Sequence, residues 1–153
     1  MAGSDRPGLP EVNAGVGTDI VAVGRIGALI QDGGAAFLER WFTAREIGYC
    51  FGKAVPSRHF AARFAAKEAV VKALPVAWDG PLPWRYIEIG NDPRGAPSVS
   101  LSGAILDAAT GAGVDEIRVS LSHCDEYATA IALVVVPGEP AIPAEPRTGG
   151  HGQ

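Results

Sequence analysis

The sequence predicts an α+β fold, an antiparallel sheet packed against a long central helix, and three observations carry that expectation. Helical and extended patterns follow one another irregularly, without the strict strand–helix–strand rhythm of a parallel sheet. Two pairs of strand-like runs, Tyr86–Asn91 with Ser98–Ser102 and Ile117–His123 with Tyr127–Val136, each flank a short polar turn, as hairpins do. The segment Phe60–Leu74 is rich in alanine and free of Gly and Pro, so propensity makes it a helix. With 153 residues, 47% of them apolar and 20% charged, the chain suits one soluble domain with tails.

The elements follow in order. Residues 1–14 hold Pro7 and Pro10 and few apolar side chains, so a flexible tail is expected ahead of a domain spanning 15–136. Gly15–Val23 is a β-branched run typical of a buried strand, interrupted by Asp19. An ionised carboxylate there is costly unless paired or metal-bound, which points Asp19 toward a ligand role. Gly24–Gln31 reads as a short helix carrying Arg25, broken by Asp32-Gly-Gly, with another helical turn at Phe37–Phe42. Thr43 and Glu46 match a capping box that opens a helix through Phe51. Lys53–Ser57 is a loop, with Ser57 the expected N-cap of the central helix.

Pro75 stops that helix, and Pro75–Pro83 is too dense in Pro and Gly for a regular element. Asp92–Pro97 is a tight turn, and Gly103–Thr110 a helix closed by Gly111 and Gly113. Ile117, Val119 and Leu121 point inward from their strand, and Tyr127–Val136 returns as a mostly buried one. Residues 137–153, largely Pro, Gly and Ala with His151, are expected to be a second flexible tail.

At about 100° per residue the central helix divides into three faces. Phe60, Phe64, Val71 and Leu74 form a core stripe; Ala62, Ala66, Ala69 and Ala73 form a small-residue stripe that lets another element approach closely. The third face carries Glu68 and Lys72, one turn apart, beside Ala61 and Ala65. Such a pair is commonly a solvated ion pair worth about 0.2–0.5 kcal/mol, yet the flanking alanines leave room for a ligand or a second chain. Lys67, about 100° away, reads as a surface or salt-bridge lysine.

A net charge of −4 argues against general nucleic-acid affinity, which needs clustered Lys and Arg. No apolar run approaches the ~20 residues of a membrane span, and no leader-like segment is visible at the N-terminus. Cys50 and Cys124 lie in no metal or redox spacing and read as reduced thiols, so a cytoplasmic protein is expected. Asp19 and Glu68, hard oxygen ligands with no His or Cys beside them, suit Mg²⁺. Lys72 is placed to neutralise a phosphate, and Ser122 with His123 at a hairpin could hold another anion.

These residues lie in segments that resemble one family. Gly17-Thr-Asp19-Ile, Arg63-Phe-Ala-Ala-Lys-Glu-Ala-Val-Val-Lys-Ala73 and Ser122-His-Cys-Asp-Glu-Tyr-Ala128 are similar to the three motifs of the holo-acyl-carrier-protein synthases, 4′-phosphopantetheinyl transferases of the short, single-domain type. Phe42–Cys50 and the turn Gly95-Ala-Pro97 resemble that family too. The resemblance implies that Asp19 and Glu68 ligate Mg²⁺ against the pyrophosphate of coenzyme A. It implies that Lys72 contacts that pyrophosphate and stabilises the adenosine 3′,5′-bisphosphate leaving group. Ser122 and His123 would hold the 3′-phosphoadenosine, the Gly95–Pro97 turn would lie on the adenine, and Arg63 would assist with phosphate. Phosphopantetheine would move to a serine of an acyl carrier protein, with Glu68 or a water on the metal as base. The resemblance also implies a homotrimer whose sites take Asp19, Glu68 and Lys72 from one chain and His123 from the next.

Two departures stand out. Leu74-Pro75-Val76 replaces the glycine that usually opens a loop along the coenzyme A phosphates, and Ala96 replaces a lysine before the turn's proline. They leave an alternative: a coenzyme A-binding member of the fold that is catalytically impaired and acts as a binding or structural subunit. An acyl carrier protein is acidic, so docking on this negative chain needs a local basic patch, for which Arg25, Arg40 and Arg45 are candidates. As dispersed surface arginines they serve equally well for solubility. His59 is expected on the surface and His151 in the tail, while Trp41, Trp78 and Trp84 read as packing residues.

Overall fold

The computed structural model describes residues 12–138 and confirms an α+β architecture. Strand β1 (Val12–Ala22) leads into helix α1 (Val23–Trp41), followed by α2 (Ala44–Phe51) and the central helix α3 (Pro56–Ala73). A 3₁₀ turn (Trp84–Tyr86), the hairpin β2 (Ile87–Asn91) and β3 (Pro97–Leu101), helix α4 (Gly103–Gly111), and the hairpin β4 (Glu116–His123) and β5 (Tyr127–Pro137) complete it. All strand pairs are antiparallel; β5 lies between β1 and β4 in one sheet, and β2 pairs with β3 in another. Among the described residues no helix is long and apolar enough to cross a membrane. The tail residues 1–11 and 139–153, His151 among them, lie outside the described residues; β1 itself begins at Val12, ahead of the expected boundary at Gly15.

Helix α3 is the centre of the core, buried on almost every side from Phe60 to Val70 and packed on the three-stranded sheet. The small-residue stripe does what its composition implies. A Cβ at Gly17 would fall 2.0 Å from the carbonyl oxygen of Ala69, and one at Gly15 equally close to that of Ala73. Only glycines let β1 lie this near the helix, so the glycines fix the depth at which Asp19 meets α3. Val71 and Leu74, expected in the core stripe, are only half-buried. The tryptophans do pack: Trp41 stacks on Trp84 at 4.3 Å and lies against Phe64 at 4.2 Å.

Several expectations need correction. The central helix starts at Pro56, whose missing N–H suits a first turn, and Val55 precedes it with no side-chain cap, so Ser57 is not the N-cap. The helical pieces at 24–31 and 37–42 run wider than their patterns, together spanning Val23–Trp41, while the break expected at Asp32-Gly-Gly is present at Gly34, where φ is 53° and ψ is −139°. Of the two readings offered for Lys67, the salt bridge holds and the surface position does not: it is fully buried, donating to Glu46 Oε2 at 2.8 Å and to the Trp84 carbonyl at 3.1 Å. The expected capping box of Thr43 and Glu46 is present, and the same glutamate serves both the cap and the buried lysine. Strand β5 is not buried on both faces. Ala128, Ala130, Ala132 and Val134 face the helix, while Tyr127, Thr129, Ile131 and Leu133 are exposed.

Candidate active site

Alternation along β1 turns Gly17, Asp19 and Val21 toward α3 and leaves Val16, Thr18 and Ile20 outside. Asp19 therefore meets the helix where Lys72 emerges. The Lys72 ammonium donates to Asp19 Oδ1 at 2.8 Å and to the Thr18 carbonyl at 3.0 Å. The simple Glu68–Lys72 pair considered from the helix pattern does not form, because the lysine turns to the strand. The Asp19 hydrogen bond holds the lysine above its ordinary pKa and keeps it charged.

Glu68 is half-buried one turn before Lys72, and among the described residues it makes no ion pair. Burial raises its pKa first and the negative charge of Asp19 raises it further, while Lys72 and Arg25 oppose the rise. Two carboxylates that destabilise each other, with only oxygen donors, fit a hard divalent cation such as Mg²⁺. Ala61 and Ala65, expected to leave open ground beside Glu68, are fully covered within the chain, so access to the acid is not along that side of the helix.

A second group assembles elsewhere. Arg63, Gly95, Pro97 and His123, drawn from α3, the β2–β3 turn, β3 and the end of β4, line one cleft of ≈ 240 Å³. Asp92 shapes the turn by accepting from the backbone N–H groups of Arg94 and Ala96, and Gly95 has the positive φ of 89° that the turn requires. Arg63 is buried, stacked 3.9 Å from the Tyr49 ring and donating to Asn91 Oδ1 at 3.1 Å, yet its Nε has no partner among the described residues. Neither Asp19, Glu68 nor Lys72 borders this cleft. Ser122 is separated from His123 by the strand's alternation: it lies by Thr18, Thr129 and Ile131 on the exposed face of the sheet. The expected site residues therefore form two clusters, with Ser122 apart from both.

Sequence reasoning missed His59, which is half-buried on the wall of the cleft with its ring 5.1 Å from that of His123. The available signal was its place four residues before Arg63, on the same helical face.

The fold and these clusters define a family. The model of the 4′-phosphopantetheinyl transferase superfamily matches residues 15–132, and the chain belongs to that superfamily. Within it, the holo-[acyl-carrier-protein] synthase of Protochlamydia amoebophila is 43% identical over 119 residues, 78% of this chain and 95% of that one. The crystal structure of the holo-[acyl-carrier-protein] synthase from Neisseria meningitidis superposes with a TM-score of 0.71 at 32% identity, covering 78% of this chain and 96% of the other. That of the Helicobacter pylori synthase in complex with coenzyme A gives 0.67 at 34% identity, covering 78% and 98%.

Proposed function

We infer that this chain is a holo-acyl-carrier-protein synthase, an enzyme that transfers 4′-phosphopantetheine from coenzyme A to a serine of an apo acyl carrier protein and releases adenosine 3′,5′-bisphosphate. The observation that carries this reading is the meeting of Asp19, from β1, with Lys72 at 2.8 Å, beside Glu68 of the same helix. Asp19 and Glu68 are the residues that would hold Mg²⁺, which when bound supplies Lewis-acid stabilisation of pyrophosphate charge. Lys72, held charged, adds positive potential where the leaving group gains negative charge. Glu68, whose raised proton affinity suits a base, takes the proton of the attacking serine. Arg63, His123 and the Gly95–Pro97 turn hold the 3′-phosphoadenosine end in their cleft.

A homotrimer is part of this reading, and two features support it. The acids and lysine do not border the cleft of His123, as expected of a site completed by a neighbouring chain. The outward face of the main sheet is apolar, with Val16 62%, Ile20 67% and Ile131 50% exposed, and such a patch on a folded domain marks an association surface. Arg25 and Arg40 are exposed on α1, and Arg25 acts electrostatically on Glu68, so an acidic carrier could dock beside the acid pair. Arg45 is tied to Glu88 at 3.1 Å. The test is incubation with coenzyme A, Mg²⁺ and an apo carrier protein, with and without chelator. A mass gain of one phosphopantetheine that needs the metal supports the reading; coenzyme A binding with no gain overturns the transferase.

A further inference from the structure

The cleft that holds Arg63 and His123 concentrates positive charge on a chain that is negative overall. His59 and Arg63 line it from α3, His123 lines it from β4, and Lys53 lies 4.3 Å from the ring of Tyr49, which also borders the cleft. Arg58, beside His59, is engaged by Asp125 of the β4–β5 turn at 2.6 Å. Asp125 thus serves Arg58. The two imidazoles meet edge to face, with 72° between their planes. Arg63 brings a buried Nε that lacks a partner among the described residues.

We propose that His59 is a ligand-recognition residue acting as a pair with His123: when the phosphate monoester of coenzyme A enters the cleft, His59 takes a proton from solvent and becomes a second charged donor to it. The inference rests on the reading above that the cleft receives the 3′-phosphoadenosine end. In the free protein, burial lowers the pKa of His59, and the charges of His123, Arg63, Lys53 and Arg58 lower it further, so the surroundings favour the neutral ring. An arriving dianion reverses that balance. Binding then takes up a proton, and affinity rises as pH falls from the bound ring's raised pKa toward the free ring's lowered one, below which the gain stops.

The experiment is calorimetric titration with coenzyme A in buffers of different ionisation enthalpy, for wild type, His59→Gln and His59→Lys. The wild type should take up a proton at pH 7. His59→Gln should lose that uptake and bind about 10-fold more weakly near pH 6.5, as loss of one charge-assisted hydrogen bond implies. His59→Lys should restore affinity at high pH without uptake. Dephospho-coenzyme A, which lacks the monoester, should show no difference between wild type and His59→Gln. Equal uptake in wild type and His59→Gln overturns the role of His59 while leaving the transferase reading intact. Absence of coenzyme A binding by the wild type overturns both.

Discussion

Lys67 and Lys72 stand on the same helix, each bonded to a carboxylate at 2.8 Å, in opposite surroundings. The Lys67–Glu46 pair is sealed, with side chains 0% and 1% exposed. Each partner bonds further groups: Glu46 also accepts from the backbone N–H groups of Thr43 and Ile89, and Lys67 also donates to the Trp84 carbonyl. It ties α2, α3, β2 and the 3₁₀ turn into one unit. The Lys72–Asp19 pair is open, with the lysine side chain 51% exposed, and a half-buried Glu68 beside it lacks an ion-pair partner among the described residues. A charge sealed from solvent among partners it already bonds holds structure. A charge left accessible, next to an acid that its surroundings disfavour, is free to meet a ligand.

The sharpest test of that division is Glu68→Gln. Transfer should fall by about 10²–10⁴ in kcat, the usual contribution of a positioned base. Folding stability should stay within about ±0.5 kcal/mol or rise slightly, because the substitution removes a disfavoured charge. Initial rates by mass spectrometry and urea unfolding measure the two sides, and near-normal turnover would take Glu68 out of the chemistry. Lys67→Met should do the reverse, costing about 3–5 kcal/mol by stranding the Glu46 carboxylate in the core. Adding Glu46→Gln should recover part of that loss, since glutamine can still serve the capping box. A Lys67→Met cost below about 1 kcal/mol in the same urea assay would show that the buried pair is not what joins these elements.

Lys72→Met completes the exchange. Here kcat should drop by about 10²–10³, the scale of one lost electrostatic stabiliser, with a stability change of no more than about 1 kcal/mol because the pair is exposed. Lost folding rather than lost rate would overturn the comparison.

The contrast was half visible before the structure. The pattern Lys67-Glu-Ala-Val-Val-Lys72 marked a charged helix, and the resemblance separated Glu68 and Lys72 from the rest. It could not show that Lys67 is buried, because its partner Glu46 lies in another helix and was already accounted for by a capping box visible in sequence. Asp19 was legible as an anomaly in a β-branched run, since an acid there needs a partner. Elements with strong local signals were legible too, among them the alanine-rich helix, the hairpins and the break at Asp32-Gly-Gly. What failed depended on three-dimensional neighbours: the exposed outer face of β5, where an apolar run concealed a two-sided strand, and His59, which acquires meaning only from His123 on a distant strand.

Gly17→Ala probes the geometry that lets the open pair form. The added Cβ must push β1 away from the Ala69 carbonyl, 2.0 Å distant in the present arrangement, and there is no flexible side chain to yield. The expected cost is about 1–3 kcal/mol, typical of overpacking, together with reduced kcat as Asp19 moves from Lys72. Unchanged stability and rate would mean that β1 does not set the position of Asp19.

Salt gives the smallest effect and separates the pairs without disturbing the fold. Raising ionic strength from about 0.1 M to about 1 M shortens the screening length from about 10 Å to about 3 Å. Screening acts through solvent, so it reaches Lys72, 51% exposed, but not the sealed Lys67. The coupling energy from a double-mutant cycle on Asp19 and Lys72 should begin within about 0.2–1 kcal/mol and fall toward zero in high salt. The Glu46–Lys67 coupling should stay nearly constant over the same range, because no mobile ion can enter between its partners. If the two couplings declined in parallel, water and ions would reach Lys67, and the separation of structural from reactive charge along α3 would fail.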